Sequence, residues 1–164
     1  MLDDLPIAGA LFEHAAGNHF LDHDTEELYG KMELVRGLLV HITGPDAMAR
    51  LPSRIAEARF GHPGIAITIA ARDGTVLSST GPAQVVKHLL SIGDTIPASM
   101  ITWLNADRTY RIVANRLALG IPGSAPVTVA IALDITDDQV FMTEFKEALW
   151  FGLAFAMLVM AVLG

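Results

Sequence analysis

The chain has no cysteine. Disulfides and thiolate metal sites are thereby excluded, and any metal would have to be held by imidazole, thioether or carboxylate. Basic runs are absent too, and the net charge is −7. A face that binds nucleic acid needs clustered Lys and Arg, so that class of partner is excluded. Enzyme signatures are missing: there is no GxSxG, P-loop, HExxH or GxGxxG. "GIPGSAP", residues 120–126, has glycines but neither a Lys nor a helix after it, so it reads as a loop and not a phosphate cradle. The chain carries no catalytic core. Near Met1 neither a signal peptide nor a first membrane span is visible. Long apolar runs are absent except at the other end.

That exception is "ALWFGLAFAMLVMAVLG", residues 148–164, without a single charge. At 1.5 Å per residue it covers about 25 Å, against roughly 30 Å of hydrocarbon in a bilayer. Trp150 at its start suits the interfacial belt, so the stretch is expected to be a transmembrane helix, cut short; a buried C-terminal helix is the alternative.

Between the ends the chain alternates helical and β patterns. Leu28, Met32, Val35, Leu38, Leu39 and Ile42 recur at spacings of three and four, which predicts a helix over about 24–42. A second short helix, capped by Asp46, is expected through about Phe60. "IAITIA" (65–70), a turn at "RDG" and "TVLSS" (75–79) predict a hairpin. A helix over 82–93 follows, then strands at 100–104, 109–119 and 127–135. From Asp137 the helical spacing of Phe141, Phe145 and Leu149 runs unbroken into the apolar tail. The expected fold is α+β: a PAS/PDC-like domain with a five-stranded antiparallel sheet, helices at both ends packed together on one side, and then the membrane helix. The domain limits are an N-terminal remnant at 1–11, the sensor-like domain at 12–147 and the transmembrane helix at 148–164.

The stretch "GNHFLDHDTEELYGK", residues 17–31, places His19 and His23 four apart among acids. On a helix that spacing puts both imidazoles on one face, where they could share copper, nickel or zinc. The plainer reading is two exposed residues on a polar face. His14, His41, His62 and His88 are scattered. Asp137 and Asp138 precede a helix and suit its N-terminus, where the dipole favours negative charge. Met142 lies close to where the last helix leaves the domain.

"NHFLDHDTEELYGKMELVRGLL" resembles the start of the periplasmic sensor domain of heavy-metal sensor histidine kinases of the copper and silver type. Members of that family carry a His-His-Phe element, then acids, then "EL-GK-ELVR-LL". The similarity continues through "RLPSRIAEARFGHPGIAITIAARDGTVLSST" and "YRIVANRLALGIPGSAPVTVAIALDIT", over roughly residues 12–164. The resemblance implies a two-component receptor in the bacterial inner membrane with its sensor in the periplasm. It implies a first span before about residue 12. Beyond the chain it implies a HAMP linker and a kinase core, where ATP would bind and a response regulator would be phosphorylated. It also implies metal, Cu(I) or Ag(I), at the interface of a homodimer formed through the N-terminal helix.

By that resemblance the ligand elements are His19 and Phe20, with Asn18 where the leading His usually stands. The partner element departs from the pattern: relatives tend toward "DISHHQHF", whereas residues 134–141 read "DITDDQVF". Asp137, Asp138 and Val140 replace imidazoles. Carboxylates are poorer ligands for Cu(I) or Ag(I) and acceptable for Cu(II) or Zn(II). The site is therefore either rebuilt, with His23, Asp138 or Met142 taking part, or weakened. Two rivals remain. One is a sensor of a small organic ligand held by Trp103, Tyr110 and Arg111, the last pairing with a carboxylate; the other is a membrane-anchored domain without a ligand.

Overall fold

The computed structural model describes residues 5–58, 64–93 and 95–163, with side chains described from residue 22 onward except 138, 139, 142, 146, 162 and 163. In order, the elements are α1 (Leu5–Val40), α2 (Pro45–Ala49), α3 (Leu51–Ala58), β1 (Ile65–Ala70), β2 (Val76–Thr80), α4 (Ala83–Ile92), β3 (Ile101–Asn105), β4 (Arg108–Leu117), β5 (Val127–Asp134) and α5 (Thr136–Leu163). The five strands form one sheet in the order β2-β1-β5-β4-β3, and every neighbouring pair is antiparallel. The α+β architecture expected from the sequence is thus present.

Strand alternation divides the core into two layers. On one face Ile65, Ile67 and Ile69 of β1 meet Val127, Val129, Ile131 and Leu133 of β5. Leu28, Met32, Val35 and Leu39 of α1 cover them, together with Leu51 and Ile55 of α3. On the other face the smaller Ala66, Ala130 and Ala132 let α4 approach, with Val85, Leu89 and Ile92 seated over Ile112 and Tyr110. Each fully buried Leu or Ile contributes about 1.5–3 kcal/mol relative to exposure.

The turns follow local chemistry. β1 and β2 are joined by a tight turn in which Gly74 adopts φ +84° and Asp73 accepts the Thr75 N–H at 2.9 Å. Gly120 lies against the end of α1, donating its N–H to the Leu39 carbonyl at 3.0 Å. An added Cβ there would stand 1.9 Å from the Val40 carbonyl oxygen, so only glycine permits this approach.

Three expectations change. α1 begins at Leu5, not near residue 24, so the acids at 22–27 lie within a helix instead of starting one. The second helix is two pieces, and its cap is Gly44 with Pro45 at the first helical position; Asp46 falls in the first turn. α5 touches β4, and apart from Thr136 and Leu153 its described side chains are exposed. The helix does run unbroken through Gly152 into the apolar tail. Among the described residues, however, no helix is long and apolar enough to cross a membrane.

Candidate metal-sensing site and its polar surroundings

The buried row of α1 continues one turn beyond its apolar members. Asp24, at 4% exposure, stands four residues before Leu28 and so faces the sheet. The residue it meets there is Arg111 of β4, whose Nη1 donates to Asp24 Oδ2. Arg111 faces α1 because Tyr110 and Ile112, its neighbours in the strand, face α4. One position before Asp24 on the helix, His23 is exposed. Thr25, one position after it, donates its hydroxyl to the Met100 sulfur at 3.9 Å.

His19 and Phe20 are helical in backbone, on α1, one turn before His23. Asp138 and Met142 are likewise helical, on α5. The side chains of these four lie outside the described residues. Asp137 and Val140, where relatives carry imidazoles, are exposed on the first turns of α5. Among the described residues no three His, Asp or Glu side chains gather closely enough to hold an ion. His62 falls outside the described residues.

A second polar centre joins the sheet to α5. Asp134, the last residue of β5, accepts Arg108 Nη1 on Oδ2 at 2.6 Å. Its Oδ1 takes the Thr136 N–H at 3.0 Å and the Thr136 hydroxyl at 2.5 Å. Thr136 Oγ1 in turn accepts the Thr109 N–H at 3.0 Å. Burial opposes ionisation of Asp134, but these hydrogen bonds and the guanidinium prevail and hold its pKa below the usual carboxylate value. Ile135, the single residue between β5 and α5, is 2% exposed and donates its N–H to the Thr109 carbonyl at 2.9 Å.

On the α4 face, His88 stacks on Trp103 with centroids 3.8 Å apart and planes 7° from parallel. Trp103 tilts against Tyr110 at 5.5 Å. Burial lowers the His88 pKa and raises that of Tyr110. The trio offered as an organic-ligand pocket is thereby divided: Trp103 and Tyr110 face α4, while Arg111 faces α1 with its charge met by Asp24. Period-two alternation puts the Tyr110 and Arg111 side chains on opposite faces of the sheet.

The sequence profile of the CusS sensor domain matches residues 5–142, from the first described residue of α1 into α5. The chain belongs to the CusS sensor domain family. It is the heavy-metal-sensing, extracytoplasmic domain of a histidine kinase, as the ordered sequence blocks imply. Two solved structures match the chain in part. A CusS sensor domain with silver bound is 15% identical, with a TM-score of 0.47, covering 76% of this chain and 97% of its own. The sensor domain of the zinc-responsive histidine kinase CzcS from Pseudomonas aeruginosa is 17% identical, with a TM-score of 0.36, covering 66% and 93%. No curated protein matches the chain in sequence.

Sequence reasoning missed both polar pairs. Asp24 carried a signal, since it stands one helical turn ahead of the apolar row; Asp134 and Thr136 sit at a strand-to-helix junction where a capping pair is a standard solution.

Proposed function

We propose that this sensor domain binds a thiophilic or borderline metal ion between two copies of the chain, with His19 as the retained ligand and Phe20 beside it. The observation that carries this reading is the family match across residues 5–142, which includes both helices that would supply ligands. On α5 the ligands would come from Asp138 or Met142, with His23 as a further contributor from α1. Imidazole and thioether keep Cu(I) and Ag(I) accessible, whereas carboxylate at 137 and 138 moves preference toward Cu(II) or Zn(II).

The dimer would form along the outward side of α1. Gly30 and Gly37 have open space where a Cβ would stand, and Leu34 between them is 47% exposed. Metal favours one dimer arrangement only by the difference in its affinity for the two. α5 would carry that choice toward a kinase core and a cognate response regulator. From Ala148 onward its exposed Trp150, Phe151, Phe155 and Leu158 would meet the lipid of the inner membrane.

The test is titration of the chain in detergent with Ag(I), Cu(I) and Zn(II), following binding by calorimetry and dimerisation by sedimentation. Metal should strengthen the dimer, and His19→Ala should abolish both effects. A smaller loss in His23→Ala fits the inherited site; an equal loss means that the two histidines chelate together. Binding unchanged when both are removed rejects the site.

A further inference from the structure

A cleft of about 640 Å³ opens on the α4 face where β5 hands over to α5. Its size is that of small-molecule sites, roughly 300–1,000 Å³. Its apolar lining comes from Ile65 and Ala66 of β1, Val85 of α4 and Tyr110 of β4. Tyr110 is 4% exposed and yet lines the cleft, so it offers the cleft an aromatic ring and a phenol. Gln84 of α4 and Asn105 at the end of β3 close one wall, bonded to each other at 3.2 Å.

The charges decide what this cleft accepts. Among the described residues, Asp107, Asp134 and Asp137 line it against one cation, Arg108, which is already bound to Asp134 at 2.6 Å. An anion would meet net negative charge. A single metal ion is also a poor fit, because among the described residues no three acids or histidines converge on one point. Three carboxylates and one guanidinium leave two negative charges over an apolar floor, which match a flexible organic dication with its stem against Val85 and the Tyr110 ring.

We propose that this cleft is an effector site for a small aliphatic diamine, separate from the metal site and independent of it. Occupancy would bear directly on the exit helix. Asp134 caps α5 through Thr136, and Asp137 sits in the first turn of α5. An ammonium between Asp134 and Asp137 would compete with Arg108 and alter the charge at that cap.

The experiment is calorimetric titration of the 164-residue chain with putrescine, and with succinate and magnesium chloride as comparators, at near-physiological salt. Saturable putrescine binding is expected, weakened at least tenfold in Asp107→Asn and in Asp137→Asn. Both aspartates are exposed, and circular dichroism would verify that the variants fold. His19→Ala should bind putrescine as the parent does, which separates this site from metal sensing. Absence of saturable binding overturns the proposal. So do affinity for succinate, equal competition by magnesium, or binding that neither asparagine variant weakens.

Discussion

Asp24 and Arg111, 87 positions apart, meet between α1 and β4 with side chains only 6% and 13% exposed. A buried ion pair contributes less net stability than its Coulomb energy suggests, but removing one partner strands the other charge. Asp24→Ala or Arg111→Ala should therefore each cost about 3–5 kcal/mol. Replacing both by apolar residues, Asp24→Leu with Arg111→Met, should cost much less than the sum of the single losses. Urea unfolding of the four proteins measures this; additive losses would mean that the two residues act separately. As a control, breaking the exposed Arg36–Glu33 pair, held at 3.2 Å, should cost no more than about 1 kcal/mol.

Acid should weaken the fold in two steps of the same sign. The folded His88 pKa lies below its ordinary 6.5 because of burial, so the unfolded chain takes up that proton first. Stability is full above about pH 6.5 and falls as pH drops toward the folded value. Asp134 behaves likewise below its ordinary 3.8. His88→Phe should flatten the first step, and Asp134→Asn the second, in thermal melts across pH. A His88→Phe protein that kept the upper step would assign it to another group.

Gly120→Ala should destabilise by several kcal/mol, because the new Cβ meets the Val40 backbone and not a side chain that can swing aside. Gly37→Ala faces open space and should leave the monomer slightly more stable through helix propensity. The pair read by chemical denaturation separates steric from conformational effects. If Gly37→Ala also weakens metal-linked dimerisation, it identifies the close approach proposed for α1.

Restoring imidazoles with Asp137→His, Asp138→His and Val140→His should raise Ag(I) affinity by at least tenfold if carboxylates have displaced the inherited ligands. Competition against a calibrated chelator reads the change. An unaltered affinity would leave α5 outside the metal site.

The hairpins and the last strand were legible because their signals are local. The turn glycine, the alternation and the β-branched runs place β1 at 65–70 from sequence and structure alike. The start of α1 was not. Asp22, Asp24, Glu26 and Glu27 resemble an acidic first turn, and nothing local reveals that Asp24 meets an arginine on β4. The division of Tyr110 from Arg111 could be read from strand period alone once β4 was placed. The exposure of α5 could not: its phenylalanines follow the spacing of a packed face, yet Phe141 and Phe145 stack on each other at 6.3 Å and remain exposed. The ligand half of the site rests on descent, because His19, Phe20, Asp138 and Met142 bear their meaning through family pattern rather than spacing.

The joint between β5 and α5 has no slack. One buried residue, Ile135, separates a central strand of the sheet from a helix of 28 residues, and its backbone is tied to Thr109. A rotation of β5 would therefore be carried by the helix as a lever arm, roughly 42 Å long beyond the pivot at 1.5 Å per residue. A tilt of β5 by about 5° would displace the far end of that arm by roughly 4 Å. Leverage of this kind converts a rotation too small to disturb the core packing into a displacement comparable to most of a helical turn.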